Sequence, residues 1–231
     1  MTDRVCLDLF CGILRDEPFV WPQLDAEGAR HCYEAARHHG VHLLLAERLW
    51  QRGSMDSCPP ALRDRLAMSL RSQLAAEEIA KQELQTVLAG LGDAGIHPLL
   101  LKGAALAFTC YPNPVLRPRI DTDLLIEAAE RKSASAMLER LGYERLPLVS
   151  GDLVMYQAPY ARTDRHGVRH VIDVHWKVSN PQVFARALPA EVFMAAAVSI
   201  PELGDTARAP SATHCLALRS EERRVGKECR L

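Results

Sequence analysis

Asp121-Thr122-Asp123 sets two carboxylates two residues apart, immediately before the apolar run Leu124-Leu125-Ile126. In an extended chain, residues i and i+2 point to the same side, so both carboxylates face one point. Two like charges held that close repel each other and resist desolvation. A divalent cation bound by carboxylate oxygens relieves both costs, and two solvated aspartates at a strand end are the plainer alternative. A third carboxylate lies within Val171-Ile-Asp-Val-His-Trp176, where Asp173 and His175 share one face and Ile172 and Val174 take the other. An acid inside an apolar strand is costly unless it is metal-bound or paired with a nearby Arg or Lys. Lys102-Gly103 closes the run Leu99-Leu100-Leu101 and opens a segment that begins with the small Ala104 and Ala105. Free N–H groups at a helix start, a glycine that permits close approach and a lysine charge together suit a phosphate, a plain strand-to-helix turn being the simpler alternative for this pair taken alone.

The elements around these residues follow from periodicity. From Asp25 to about Gln51 the apolar residues recur at helical spacing with a break near Gly40, which predicts two short helices. Ser54, Asp56, Ser57 and Pro59-Pro60 mark a loop. Beyond it Leu62, Leu66, Leu70 and Leu74 step by four, and Ile79, Leu84, Val87, Leu88 and Leu91 continue the stripe, predicting one long amphipathic helix over about 61–91. The pattern then changes. Leu99–Leu101 reads as a strand, Ala104–Cys110 as a helix stopped by Tyr111-Pro-Asn-Pro, and Leu124–Ile126 as a second strand. A helix over about Ala128–Leu141 is closed by Gly142. Extended stretches near Leu153–Tyr160 and Val168–Trp176 flank the polar turn Thr163–Gly167 as a hairpin. The expected fold class is α+β, with a helical region over 1–90, a small mixed-sheet core over 91–200 and the start of a helical region over 201–218.

Composition narrows the classes. Hydrophobic residues make up 48% and charged residues 25%, ordinary for a globular chain, and 28 Lys plus Arg against 29 Asp plus Glu leave no basic field of the kind a DNA binder shows. Seven cysteines without a Cys-x-x-Cys pair fit a reducing compartment. With no signal-like start and no run of about 18 apolar residues, a cytoplasmic protein without a membrane anchor is expected. His166, His170 and His175 match no zinc spacing, and Arg119 reads as a solvated loop charge. The segment RSEERRVGKECR, Arg219 to Arg230, resembles translated sequencing-adapter sequence. Residues 219–231 are therefore expected to pack poorly and to stay away from the carboxylates, a solvated basic helix end being the alternative.

LLLKGAALAFTCYPNPVLRPRIDTDLLI, a later Gly-Tyr and then VIDVHW together resemble the uncharacterised nucleotidyltransferase family of the polymerase-beta-like superfamily. The resemblance covers about 90–180 strongly and the helical start more loosely. It implies a nucleotidyltransferase-type core and transfer of a nucleoside monophosphate from a nucleoside triphosphate to an acceptor hydroxyl, the acceptor being a small molecule, a protein or an RNA. It also implies Mg2+ ions held by Asp121 and Asp123 on the triphosphate, with Asp173 serving the metal at the acceptor hydroxyl and helping to deprotonate it. Lys102, Gly103, Ala104 and Arg117 would bind the nucleotide. The wider superfamily usually has Gly or Ser where this chain has Ala104, so Lys102 would take over what a hydroxyl supplies elsewhere. Rival readings are an Asp-x-Asp glycosyltransferase, against which the helical first 90 residues argue, and an inactive or truncated binding module of the same fold.

Overall fold

The computed structural model describes residues 2–147, 156–178 and 188–224, the last six by their backbone alone. The chain forms two compact units, Met1–Glu77 and Glu78–Leu231.

The first unit is helical. Helices α1 (Asp3–Leu14), α2 (Ala26–His38) and α3 (His42–Gln51) are followed by the beginning of α4 (Pro60–Asp93). The Asp25 side chain caps α2 by accepting from Gly28 N, and Gly40 takes a left-handed φ of 68° between α2 and α3, where most side chains would be strained. Cys6, Phe10 and Ile13 of α1, Cys32 and Ala36 of α2, and Leu45 and Leu49 of α3 share one apolar core with Leu62 and Leu66. The stripe predicted along α4 is only partly realised, for Leu62 and Leu66 are buried whereas Leu74 is 47% exposed. A step of four residues overshoots one helical turn by about 40°, so a row at that spacing winds around the helix and leaves the buried face.

The second unit holds a mixed sheet. Among the described residues its strands are β1 (Leu99–Leu101), β2 (Thr122–Leu125), β3 (Glu144–Arg145), β4 (Gln157–Thr163), β5 (Arg169–His175), β6 (Val198–Ser199) and β7 (Arg208–Ala209). Their order is β3-β4-β5-β2-β1-β7-β6. Strand β2 lies at the centre, antiparallel to β1 and parallel to β5, and β4 and β5 form the predicted hairpin. Helices α5 (Lys102–Thr109) and α6 (Arg131–Arg140) follow β1 and β2, while α7 (Ala190–Ala195) and α8 (Ala212–Arg224) come later. The α+β class with a helical N-terminal region is thus the observed one.

Alternation divides the central strands between two cores. Leu100, Leu124, Ile172 and Val174 pack with Leu84, Val87, Leu88 and Leu91 of α4 and Ala134 and Leu138 of α6. Leu99, Leu101 and Leu125 point the other way and pack with Val178, Phe193 and Leu218. Neither β6 nor β7 was expected from the sequence. The extended stretch foreseen near Leu153 begins at Gln157 among the described residues, and the part over 153–155 lies outside them. The backbone of α8 runs on to Arg224, and the packing foreseen for 219–231 lies outside the described side chains.

Candidate active site

Register brings Asp123 and Asp173 together. Strands β2 and β5 run parallel with Asp123 opposite Asp173 and Leu125 opposite His175, so the period of two puts Asp123, Asp173 and His175 on one face. Asp123, Asp173 and His175 each offer a ligand atom within 4.8 Å of the others. Asp123 stands inside β2 rather than ahead of it, and it is 3% exposed. A carboxylate so buried needs partners. Its Oδ1 lies 2.8 Å from Nε2 of the equally buried His175, and Lys102 Nζ donates to the same oxygen at 2.7 Å. Gln157 Nε2 donates to Asp173 Oδ2 at 3.5 Å.

Lys102 reaches Asp123 from an unusual backbone position. After the extended Leu101, Lys102 opens α5 with φ at 48°, in the left-handed region, a conformation that costs a non-glycine residue on the order of 1 kcal/mol. The adjacent Gly103 is not among the left-handed glycines, and a Cβ there would meet only Arg119 Cβ, at 3.7 Å. The sharp turn from strand to helix therefore falls on the lysine.

Asp121, just before β2, lines a cleft of about 370 Å³ with Asp123, Lys102, Gly103, Arg117 and Arg119. Leu106, Ile120 and Leu218 supply apolar wall to the same cleft. Ala104, expected at the phosphate turn, has its side chain in the apolar core at 1% exposure. Only its backbone N–H remains to serve a ligand, because helical geometry turns its Cβ inward. Arg119, expected to be solvated, stacks its guanidinium over the Phe108 ring at 5.4 Å and lines the cleft beside Arg117. An arginine next to an aromatic face gains cation–π and packing energy that the sequence pattern alone does not show.

The three acids differ electrostatically. Burial pushes the Asp123 carboxyl up, but the hydrogen bond and charge of His175 and the charge of Lys102 outweigh it and hold the group below its ordinary value. Asp121 and Asp173 are both raised, by burial first and by the Asp123 charge second. One ionised acid flanked by two reluctant ones is a charge pattern that a divalent cation would even out.

Sequence reasoning had set His175 aside together with His166 and His170. The structure separates the three, for His170 pairs with Asp164 at 3.2 Å and His166 meets Arg165, while His175 belongs with the carboxylates. The signal that could have found it was the two-residue spacing from Asp173.

A mixed sheet following a helical N-terminal region is consistent with an α+β nucleotidyltransferase core. The chain belongs to the uncharacterised nucleotidyltransferase family, whose match extends over residues 25–218. This membership displaces the glycosyltransferase alternative. No curated protein matches the chain. No helix among the described residues is long and apolar enough to cross a membrane.

Proposed function

We propose that the protein transfers a nucleoside monophosphate from a nucleoside triphosphate to an acceptor hydroxyl, with Asp121, Asp123 and Asp173 holding the divalent metal, Mg2+, that the chemistry needs. The observation that carries this reading is the register of β2 against β5, which sets Asp123 opposite Asp173 with His175 alongside. Asp123, Asp173 and His175 offer ligand atoms within reach of one another, Asp121 lines the adjoining cleft, and carboxylate oxygens are the donors a hard divalent cation takes. When bound, the metal supplies positive charge to the phosphate oxygens and lowers the cost of an ionised acceptor oxygen.

The chain's own residues do the rest. Lys102, Arg117 and the backbone N–H groups of Gly103 and Ala104 bind the triphosphate, the arginine being able to meet two oxygens with its planar fork. Asp173, whose carboxyl is raised by burial and by Asp123, receives the acceptor's proton at a carboxylate oxygen. The acceptor oxygen then bonds to the α-phosphorus as the bond to the β-phosphate bridge breaks, and pyrophosphate leaves in line. His175 keeps Asp123 oriented and ionised through its 2.8 Å contact. The acceptor is a small molecule, a protein or an RNA, and the site of action is the cytoplasm.

The test uses nucleoside triphosphates labelled at the α-phosphate, with cell extract as the source of acceptors. The protein transfers label and Asp123→Asn does not. Label transfer undiminished in Asp123→Asn removes the catalytic reading.

A further inference from the structure

The carboxylate at the centre of the site already carries a cation. Asp123 Oδ1 takes Lys102 Nζ at 2.7 Å as well as His175 Nε2 at 2.8 Å. These two partners are held very differently. His175 is 3% exposed on β5, which is hydrogen-bonded to β4 and β2. Moving it means opening buried packing. The Lys102 side chain is 34% exposed against 4% for Asp123, and it ends a flexible four-carbon stem in the cleft that Arg117, Arg119 and Asp121 also line. It can leave Asp123 without disturbing any strand.

We infer that Lys102 is a resident counter-cation of Asp123 that competes with the divalent metal for that carboxylate and is drawn off it by the triphosphate, so that metal and nucleotide load together. This rests on the metal-site reading proposed above. Two cations on one carboxylate oxygen repel each other strongly where Asp123 is shielded from water. An ion entering alone must therefore bind against the ammonium's charge or displace it into solvent. An ion entering with a polyphosphate brings the ammonium a new anionic partner in the same cleft, and the exchange costs far less. The left-handed backbone at Lys102 suits this role, because it turns the chain from strand to helix at the residue whose side chain is bonded to Asp123. Lys102 would then exchange its contact with Asp123 for one with the phosphates.

The experiment measures binding of Mn2+ alone, and of preformed Mn2+–tripolyphosphate, to the full chain and to Lys102→Met, Lys102→Arg and Asp123→Asn. Methionine keeps the stem and removes the charge, and at this backbone position it is strained no more than lysine. Lys102→Met binds Mn2+ alone more tightly than the parent, on the order of tenfold, while Lys102→Arg does not. With Mn2+–tripolyphosphate the order reverses, and the parent binds more tightly than Lys102→Met. The crossover also shows that Lys102→Met is folded. If Lys102→Met matches or falls below the parent for Mn2+ alone, while Asp123→Asn loses the ion, the counter-cation role is wrong and the metal site stands. If Asp123→Asn binds Mn2+ as the parent does, the metal site itself is wrong and the inference falls with it.

Discussion

The two faces of the central strands are built from the same alternation and end in opposite chemistry. On one face Leu100, Leu124, Ile172 and Val174 meet α4 and α6 in the largest apolar core of the second unit. On the other, Leu99, Leu101 and Leu125 meet a smaller cluster around Phe193 and Leu218, and Asp123, Asp173 and His175 share that side. A strand with a period of two can thus anchor itself through one set of side chains and offer the other set to a ligand. The covered face supplies rigidity. The face that carries Asp123 and Asp173 draws on it, because carboxylates proposed to meet one ion would have to be fixed by packing that is not theirs.

Substitutions on the two faces should separate activity from stability. The largest effect belongs to Asp123→Asn, which is expected to lower label transfer by about a thousandfold or more, since ligands of one metal act as a unit. On the covered face, Leu124→Ala removes a fully buried side chain next to Asp123 in sequence. It should cost about 2–5 kcal/mol in urea unfolding, with the folded fraction keeping its affinity for Mn2+.

A smaller effect follows from charge. The folded-state carboxyls of Asp121 and Asp173 are raised, so their contribution to stability is complete below the unfolded value and is lost as pH rises through the raised one. Asp123 has the opposite sign, for its carboxyl is lowered, and its contribution is lost as pH falls through the lowered value. The ion-free protein with Asp173→Asn should therefore melt slightly higher at neutral pH, and should no longer be stabilised by added Mn2+. Thermal melts across pH, with and without the ion, read both signs. The smallest effect is that of Gly103→Ala. With ordinary van der Waals space for a Cβ and helical placement, it should gain under about 1 kcal/mol in stability. Any loss of nucleotide binding in that variant reports close approach of a phosphate to the turn.

Local pattern made much of this legible. The period of two in Val171–Trp176 placed Asp173 and His175 on one face, and the break at Gly40 separated α2 from α3. What stayed hidden depends on contacts between residues distant in sequence. Strand β7 pairs with β1 through Leu99 and Arg208, and strands of two residues carry no measurable period. That His175 meets Asp123 rather than His170 follows from the parallel register of β2 and β5. Arg119 looked like a loop charge because Phe108, eleven positions earlier, gave no sign of lying beneath it. Lys102 taking the left-handed turn beside an available glycine is a tertiary outcome, since local propensity would give that conformation to Gly103.

The central claim is that Asp123 and Asp173 bind one divalent ion together across the β2–β5 pair. A double-mutant cycle on Mn2+ affinity tests it most directly, using the parent chain, Asp123→Asn, Asp173→Asn and the double variant. Each single substitution should remove most of the binding and the double should be little worse than either, a strong non-additivity. Losses that simply add, or an affinity indifferent to both substitutions, would contradict a shared ion.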